Sequence, residues 1–292
     1  MDSLTNIHQL NNTNPVDSHV RIGDALIAHA KLTHQDVERI LALQKNKKIL
    51  FGEAAKQLGL INDDDLKKVL SQQFKYAYVH DGSEQLSKSL IAAHAPFSEE
   101  VENLRSLRGQ LIIRWFDQGN KTLAVTSATS EDGASQVAAN LAIVFSQLNK
   151  KTLLIDANLR QSVQHKLFNI ETKLGLANIL ANKQGNYELT RQQSLPNLSI
   201  LMAGTEVPNP QELLNENGFA ELLGDLEKFF DIIIIDTSPL SLGSDVLTVA
   251  SKAKAAIIVA RKDCSLATEI QRLHHQLKMT NAQIIGSILQ EF

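Results

Sequence analysis

A stretch at residues 127–136, SATSEDGASQ, lies where a phosphate-binding loop would lie, because it follows the apolar run TLAV and precedes the helical pattern VAANLAIVFSQL. A full phosphate loop reads GxxxxGK[ST]. Its glycines let backbone N–H groups approach the phosphates, its lysine contacts the β and γ oxygens, and its hydroxyl binds Mg²⁺. The chain keeps Gly133 and Ser135 but has Ala128 and Ala134 in place of the first glycine and the lysine. The pattern predicts an eroded nucleotide site.

Two acidic residues add to this erosion. Glu131 and Asp132 lie in the loop, beside the expected place of the anion. At ~4 Å each such charge opposes a phosphate by ~1 to 4 kcal/mol, depending on the local dielectric. We therefore predict that Mg-ATP binds weakly or not at all.

Two aspartates follow apolar runs elsewhere in the chain. Asp156 begins the segment DANLR, and Asp236 begins the segment DTSP. In open parallel sheets, ligands bind beyond the carboxyl ends of the strands. Together with the loop at 127–136, the two segments form one candidate site, although both aspartates could also be ordinary turn residues at strand ends.

The elements that must position these residues follow from the apolar pattern. Six short runs recur from residue 121 onward, and amphipathic stretches separate them: TLAV, TLLID, LSILMAG, FDIIIID, KAAIIVAR and AQIIGSIL. Continuous apolar strands alternating with helices predict a parallel sheet covered on both faces. The expected fold is thus α/β, a P-loop NTPase-like parallel sheet with helices on both faces, preceded by a small all-helical repeat domain.

The repeat appears when the chain is aligned with itself at an offset of 29. Identical residues then coincide at Gly23/Gly52, Asp36/Asp65, Leu41/Leu70 and Gln44/Gln73. Each unit predicts two short helices, with Thr33 and Asn62 as N-caps of the second helix. A duplicated helical hairpin that only packs against its copy is one interpretation.

The repeat also resembles the N-terminal domain of type II secretion and pilus-assembly ATPases, some of which bind cyclic di-GMP. By that resemblance Arg21 would pair with a phosphate of the dinucleotide. Leu50 stands in place of the second arginine, and Ala30 in place of a glycine. The resemblance implies a helical two-repeat domain at 19–80, with cyclic di-GMP as a candidate ligand.

A charged helix is predicted after the segment 81–96, whose Gly, Ser and Pro content is typical of a linker. Ser98 is a good N-cap, and acidic residues follow it in the first turn. Glu102, Arg105 and Arg108 are spaced three apart, so they line one side of the helix and can pair with one another. This side is either a solvated face or a contact surface.

Composition limits the function classes. The formal net charge of -3 argues against a nucleic-acid-binding surface, and no run approaches the ~20 apolar residues that cross a bilayer. The nine histidines show no metal-ligand spacing, and the single Cys264 is interpreted as an ordinary residue. We expect a cytoplasmic protein whose residues 1–18 form a disordered tail.

Residues 97–292 resemble the bacterial tyrosine kinases of polysaccharide export and chain-length control. The resemblance rests on VTSATSEDGASQVAANLAIVFSQLNKKTLLIDANLR, AGTEVPNPQELL, FDIIIIDTSPL and FSEEVENLRSLR. It implies ATP and Mg²⁺ as cofactors, with the following residues at the nucleotide: Gly133, Ala134, Ser135, Gln136 and Arg160. Asp156 and Asp236 would be catalytic, and the metal would be held by Ser135, Asp156 and Asp236.

The same resemblance implies self-assembly and a partner. Glu102, Arg105 and Arg108 match the family's ExxRxxR motif, through which protomers form rings. The partner would be a membrane chain-length determinant protein, which would hold this chain at the inner face of the plasma membrane. The chain departs from the family pattern in three ways: Ala134 replaces a basic residue, Asn158 replaces the second aspartate of DxD, and the C-terminal tyrosine cluster is absent.

Three functions stay open from the sequence. The first is a tyrosine-kinase-like protein of exopolysaccharide assembly whose nucleotide site is eroded. The second is an active ATP-dependent protein-tyrosine autokinase that tolerates the altered loop. The third is a scaffold that responds to cyclic di-GMP.

Overall fold

The structure is a computed structural model that describes residues 32–62, 86–182 and 189–291. Contacts divide the chain into two units, Met1–Ala77 and Tyr78–Phe292. Residues 1–18, Arg21 and Ala30 lie outside the described residues, as does the segment that follows the predicted N-cap Asn62.

The described part of the first unit is a pair of helices, α1 (His34–Lys47) and α2 (Phe51–Gln57). Thr33 is confirmed as the N-cap of α1, because its side chain accepts a hydrogen bond from the backbone of Asp36 and the Asp36 side chain bonds back to Thr33. The helices bury a small apolar core made of Leu32, Ile40, Ala54, Ala55 and Ile61. This core is what a helical hairpin needs in order to fold.

The second unit is built around a seven-stranded sheet of order β3-β4-β2-β5-β1-β6-β7. The strands are β1 (Thr122–Ser127), β2 (Thr152–Ala157), β3 (Thr190–Arg191), β4 (Leu198–Leu201), β5 (Ile232–Thr237), β6 (Ala255–Arg261) and β7 (Gln283–Gln290). Every pair is parallel except β3 with β4, which is antiparallel. The expected parallel sheet is therefore confirmed in a mixed form, since the sequence pattern missed the short edge strand β3.

The helices of the second unit are α3 (Ile91–His94), α4 (Glu99–Arg114), α5 (Ala134–Ser146), α6 (Gln164–Leu167), α7 (Leu176–Asn182), α8 (Pro210–Asn215), α9 (Asn217–Leu226), α10 (Asp245–Ala253) and α11 (Ala267–Lys278). Short 3₁₀ turns at Phe116–Gln118, Ser130–Asp132 and Leu240–Leu242 complete the path. Ser98 caps α4 as predicted, with its side chain accepting from the backbone of Val101.

The central strands of the sheet are buried on both faces. Strands β1, β2 and β5 are buried along their whole length, as expected for continuous apolar runs covered on both faces. Helix α5 is buried at nearly every position and packs on β1, β2 and β5. The helix that leaves the phosphate loop is thus anchored in the core.

The segment expected to be a linker differs from that expectation where it is described. Leu90, Ala92 and Ala93 are fully buried. The buried Asn140 of α5 accepts a hydrogen bond from the backbone of Ala92 and donates one to the carbonyl of Ser89. Polar and small residues gave this segment the composition of a linker, yet the buried amide of Asn140 binds its backbone to the second unit.

Candidate functional site

The two predicted aspartates face each other at the carboxyl ends of neighbouring strands. Asp156 on β2 and Asp236 on β5 are partners in the strand register, and both are fully buried. Neighbouring strands lie about 4.8 Å apart, so register partners present their side chains to the same face. The structure therefore brings together the two carboxylates that the sequence placed at one site.

Each carboxylate oxygen of the pair accepts a hydrogen bond from the chain. The Asp236 Oδ1 accepts from the Ser135 hydroxyl at 3.0 Å, and its Oδ2 accepts from the Gln164 Nε2 at 2.7 Å. The Asp156 Oδ1 accepts from the backbone N–H of Asn158 at 3.2 Å, and its Oδ2 accepts from the Ser162 hydroxyl at 2.7 Å. The chain itself therefore supplies a hydrogen bond to all four carboxylate oxygens of the pair.

Burial dominates the acidity of the pair. Loss of solvent raises the pKa of Asp156 to about 6, against the opposing effect of hydrogen bonds from Ser162 and two backbone N–H groups. Loss of solvent, and then the nearby charge of Asp156, raise the pKa of Asp236 to about 8. Two buried carboxylates this close cannot both ionise readily without a cation, so the pair favours a bound proton or a bound metal ion.

The phosphate loop keeps the backbone shape that the motif needs. Gly133 has φ of +78°, a left-handed conformation that glycine adopts without strain. A side chain at Gly133 would also require the end of the Gln290 side chain to move, since its Oε1 would lie 2.5 Å from the added carbon. Ala134 begins α5 at the position of the missing lysine, and Ser135 follows it with its hydroxyl on Asp236.

The two acidic residues of the loop have different environments, which corrects the expectation that both face the anion. Asp132 is fully buried. Its carboxylate accepts hydrogen bonds from the backbone of Thr129 at 2.8 Å and from the Ser265 hydroxyl at 2.5 Å. Glu131 is exposed. Asp132 thus ties the loop to the segment after β6, and only Glu131 is left as a solvent-facing negative charge.

Cys264 lies beside this loop but is not activated. Its thiol donates to the Glu131 carboxylate at 3.6 Å. Reduced solvation, and then Glu131, raise the pKa of the Cys264 thiol, which disfavours the reactive thiolate.

Arg160 is held by an acidic residue that the sequence analysis did not identify. Its guanidinium forms a two-pronged ion pair with the buried Asp245 at the start of α10, through Nε and through Nη2, the latter at 3.1 Å. The same pair raises the pKa of Arg160. Gly243 leaves room for this side chain, since an added carbon there would lie 2.9 Å from the Arg160 Nε. Arg160 therefore joins the segment after β2 to the segment after β5.

The remaining residues that the sequence analysis singled out are Gln136 and Asn158, which the structure describes, and Arg21, which it does not. Gln136 is an exposed residue in the first turn of α5. Asn158, which stands in place of a second aspartate, accepts from the backbone of Gln161 at 3.0 Å and shapes the turn. Arg21 lies outside the described residues. Cyclic di-GMP binding by Arg21 stays a prediction.

Ser162 and Gln164 were missed as site residues. Both belong to the polar segment QSVQH at 161–165, and both donate to an aspartate of the pair. The Ser162 hydroxyl also lies 3.2 Å from the His165 Nδ1. The sequence signal that could have identified them is the presence of hydroxyl and amide side chains shortly after the strand-end Asp156.

On α4, the three residues of the ExxRxxR motif do not have equal environments. Arg105 forms an ion pair with Glu102 within the helix. Arg108 is partly buried and donates to the backbone carbonyl of Val144 on α5. Arg108 therefore binds its own unit in addition to lining the predicted contact side.

The oxygen atoms at the site suit Mg²⁺, while the loop offers no lysine to a phosphate. The hydroxyl of Ser135 and the carboxylates of Asp156 and Asp236 are the hard oxygen ligands that Mg²⁺ accepts together with water and phosphate. The backbone N–H of Thr129 donates to Asp132. The missing lysine leaves the γ-phosphate position without its cation.

Two further surveys concern the described residues only. Within 32–62, 86–182 and 189–291, no cluster of three or more His, Cys, Asp or Glu side chains could hold a metal ion. None of the helices in these ranges has the length and apolar character that crossing a bilayer requires.

Comparisons with known proteins show the family to which the chain belongs. The profile of the AAA domain family (AAA_31) matches residues 120–288. The tyrosine-protein kinase YwqD of Bacillus subtilis (strain 168) is 29% identical over 205 residues, which cover 70% of this chain and 86% of YwqD. The tyrosine-protein kinase etk of Escherichia coli (strain K12) is 31% identical over 199 residues, which cover 68% of this chain but only 27% of etk.

Two solved structures are also similar to this chain. The kinase domain of Escherichia coli tyrosine kinase ETK has a TM-score of 0.66 and 30% identity, and the match covers 69% of this chain and 79% of that domain. The chimerical protein CapA2B2 has a TM-score of 0.65 and 27% identity, with 76% of this chain and 97% of that chain covered.

Proposed function

Because the chain belongs to the AAA domain family, among its bacterial tyrosine kinases, we propose that it is a tyrosine-kinase-like P-loop protein of exopolysaccharide biosynthesis with a degenerate nucleotide site. The observation that carries the proposal is Ala134, a buried alanine at the start of α5 where the phosphate loop has its lysine. Phosphoryl transfer depends on positioning and on neutralising the charge of the phosphates. A loop without its cation supports a role in assembly or regulation.

The neighbouring cation does not replace the lysine. Arg160 follows Asp156 in the same loop, but its guanidinium is engaged by the buried Asp245. Glu131 adds an exposed negative charge to the loop. Both features weaken the attraction of the loop for a triphosphate.

A second candidate function, an active autokinase, is favoured by one observation. The residues that would hold Mg²⁺, Ser135, Asp156 and Asp236, are together in the fold, and the Ser135 hydroxyl lies 3.0 Å from the Asp236 Oδ1. When bound, Mg-ATP would supply the phosphoryl group, while these residues would orient the metal and Asp156 would lie near the attacking hydroxyl.

The proposed partners follow from family resemblance. We propose that the chain works with a membrane chain-length determinant protein at the inner face of the plasma membrane, and that it self-associates through the side of α4 that carries Glu102, Arg105 and Arg108. These residues include an exposed carboxylate and an arginine beside it, which suit a neighbour of complementary charge.

Calorimetric titration with Mg-ATP tests the proposal. The parent chain should show no binding in the low-micromolar range, whereas Ala134→Lys combined with Glu131→Gly should recover measurable affinity. A matched control is Lys166→Ala, which changes a charge on α6 outside the loop. Low-micromolar affinity in the parent, or phosphotyrosine formed on the purified chain with ATP, would instead establish the autokinase.

A further inference from the structure

The carboxamide of Gln164 lies among the residues that would hold a metal ion. Its Nε2 donates to the Asp236 Oδ2 at 2.7 Å and to the backbone carbonyl of Ser135 at 3.0 Å. The backbone N–H of Gln164 donates to Asp156. The side chain is fully buried. One glutamine therefore contacts Ser135, Asp156 and Asp236.

The oxygen of this carboxamide has no protein donor. The NH₂ group has two acceptors, but within the described residues no group donates a hydrogen bond to the buried Oε1. Buried polar atoms nearly always have a partner, and an exception points to a water molecule or an ion at that place. The oxygen and nitrogen of one amide are about 2.3 Å apart. The unpartnered Oε1 is therefore at most about 5 Å from the Asp236 Oδ2.

The spacing around this amide matches the spacing of ligands on one small cation. Mg²⁺ holds oxygens octahedrally at about 2.0–2.1 Å, so neighbouring ligand oxygens lie about 2.9 Å apart. The Gln164 Nε2 lies 2.7 Å from the Asp236 Oδ2, and the Ser135 Oγ lies 3.0 Å from the Asp236 Oδ1. The two ends of an amide are nearly alike in shape, so a half-turn of the amide puts Oε1 at the position of Nε2. Oε1 then has the spacing of a ligand that shares a cation with Asp236.

The two orientations of the amide suit two states of the site. In the arrangement that the structure shows, the NH₂ group faces a carboxylate and a carbonyl, and it donates to both. In the turned arrangement, Oε1 faces the same two oxygens with no hydrogen between them, which is unfavourable unless a positive charge lies there. The amide can therefore partner Asp236 as a donor without a cation and as a second oxygen ligand with one.

We propose that Gln164 is a ligand of the metal position: its Oε1 binds a divalent cation of the Mg²⁺ class together with Asp236 and Ser135. This deepens the proposed function and rests on it, because it concerns the metal position of the same site. Gln164 adds an oxygen to a site that has Asn158 in place of one aspartate of the family pattern. Amide oxygens are accepted by Mg²⁺ and Mn²⁺ alongside carboxylates.

Binding of Mn²⁺ to the full chain without nucleotide, followed by electron paramagnetic resonance at pH 8.5, tests the ligand. Gln164→Leu and Gln164→Glu both remove the NH₂ donor, but only Gln164→Glu keeps a side-chain oxygen at the same reach. Gln164→Leu should raise the Kd for Mn²⁺ at least about tenfold, whereas Gln164→Glu should bind Mn²⁺ as tightly as the parent or more tightly. A role as hydrogen-bond donor alone predicts the same change in both variants, because both lack the donor.

Gln192→Leu is the matched control. Gln192 donates its Nε2 to the carbonyl of Phe168, directly after α6, at 2.7 Å, and thus makes the same kind of bond away from both aspartates. The Kd of this control should stay within about twofold of the parent.

An unchanged or lower Kd in Gln164→Leu would overturn the assignment, as would equal losses in Gln164→Leu and Gln164→Glu, or no Mn²⁺ binding by the parent. Circular dichroism checks folding in the presence of Mn²⁺. If Gln164→Leu does not fold, Gln164→Met replaces it, and a Gln164→Glu chain that stays unfolded with Mn²⁺ counts against the ligand. Since these titrations contain no nucleotide, the assignment can fail while the proposed function stands, and tight Mg-ATP binding by the parent would overturn the proposed function alone.

Discussion

Asp156 and Asp236 are register partners on adjacent strands and are fully buried, and this burial, followed by the negative charge of Asp156, raises the pKa of Asp236. A chain that places two carboxylates together inside its core must supply donors, protons or a cation to them. Here the donors are the side chains of Ser135, Ser162 and Gln164 together with backbone N–H groups. The stability of the chain should therefore depend on pH and on the residues that support the site.

Stability should fall as pH rises. The pKa of Asp236 is raised from 3.8 to about 8 and that of Asp156 to about 6, so the folded state binds more protons than the unfolded state between about pH 4 and pH 8. The stability that these protons confer is present at low pH and is lost as pH rises through the folded pKa values. Between pH 5 and 8 the ligand-free chain should lose at least about 3 °C in Tm, since about 1 kcal/mol shifts Tm by about 2–4 °C in a chain of this size.

Asp236→Asn is the comparison for this pH dependence, because it removes the group with the higher pKa. Differential scanning fluorimetry across the same pH range should show a shallower decline in the variant. An identical slope in parent and variant would mean that Asp236 is ionised in the folded chain throughout.

The two neighbouring acidic residues of the phosphate loop should differ in how much their substitution destabilises the fold. Asp132→Ala removes buried hydrogen bonds to Thr129 and Ser265, so it should lower the free energy of unfolding by about 2 kcal/mol. Glu131→Ala changes an exposed side chain and should stay within about 0.5 kcal/mol of the parent. Urea denaturation measures both, and equal effects would show that the loop is not tied to Ser265 in solution.

The ion pair between Arg160 and Asp245 should be structural. Arg160→Ala leaves a buried carboxylate without its cation, which costs about 3 kcal/mol. Combining it with Asp245→Ala should restore part of the loss, because the uncompensated charge is then gone. A double-mutant cycle by urea denaturation should give a coupling of at least about 1 kcal/mol. Additive effects would contradict the pair.

Self-association should depend on the charged side of α4. Replacing Glu102, Arg105 and Arg108 by alanine should raise the dissociation constant of the assembly at least about tenfold, since exposed pairs contribute little singly and must act together. Sedimentation velocity across protein concentrations measures this, with Arg114→Ala as the control at the exposed end of the same helix. An unchanged monomer for both the parent and the triple variant would count against the assembly.

Arg108→Ala alone separates the two roles of this side of the helix. The contact of Arg108 with the carbonyl of Val144 lies within the second unit, so its loss should destabilise the fold by about 1 kcal/mol whether or not the chain assembles. Glu102→Ala should have a smaller effect, because Glu102 is largely exposed. Thermal melts at a protein concentration that keeps the chain dissociated give the comparison.

The sequence predicted the sheet and the aspartate pair because both depend on local signals. Apolar runs mark buried strands, and the parallel topology brings their carboxyl ends to one edge. The strand Thr190–Arg191 has two residues and no apolar run, so periodicity could not reveal it. The apolar runs alone were enough to place Asp156 and Asp236 at the carboxyl ends of β2 and β5.

The sequence could not predict which way a side chain points or which residues far apart in the chain form contacts. Spacing placed Asp132 beside Glu131 but could not tell that one carboxylate is buried against Ser265 while the other faces solvent. The partner of Arg160 is Asp245, which no local pattern connects with it. Gln164 looked like an ordinary polar residue because its role exists only when α6 packs near α5.

Ala134 stands at the first position of α5, so the residue type there affects the helix as well as the loop. A lysine there would face the positive end of the helix dipole, and alanine has the highest intrinsic helix propensity. The residue that suits the helix best is therefore not the residue that would attract a phosphate. Helix stability and anion binding place opposite demands on this one position, a trade-off between stability and activity.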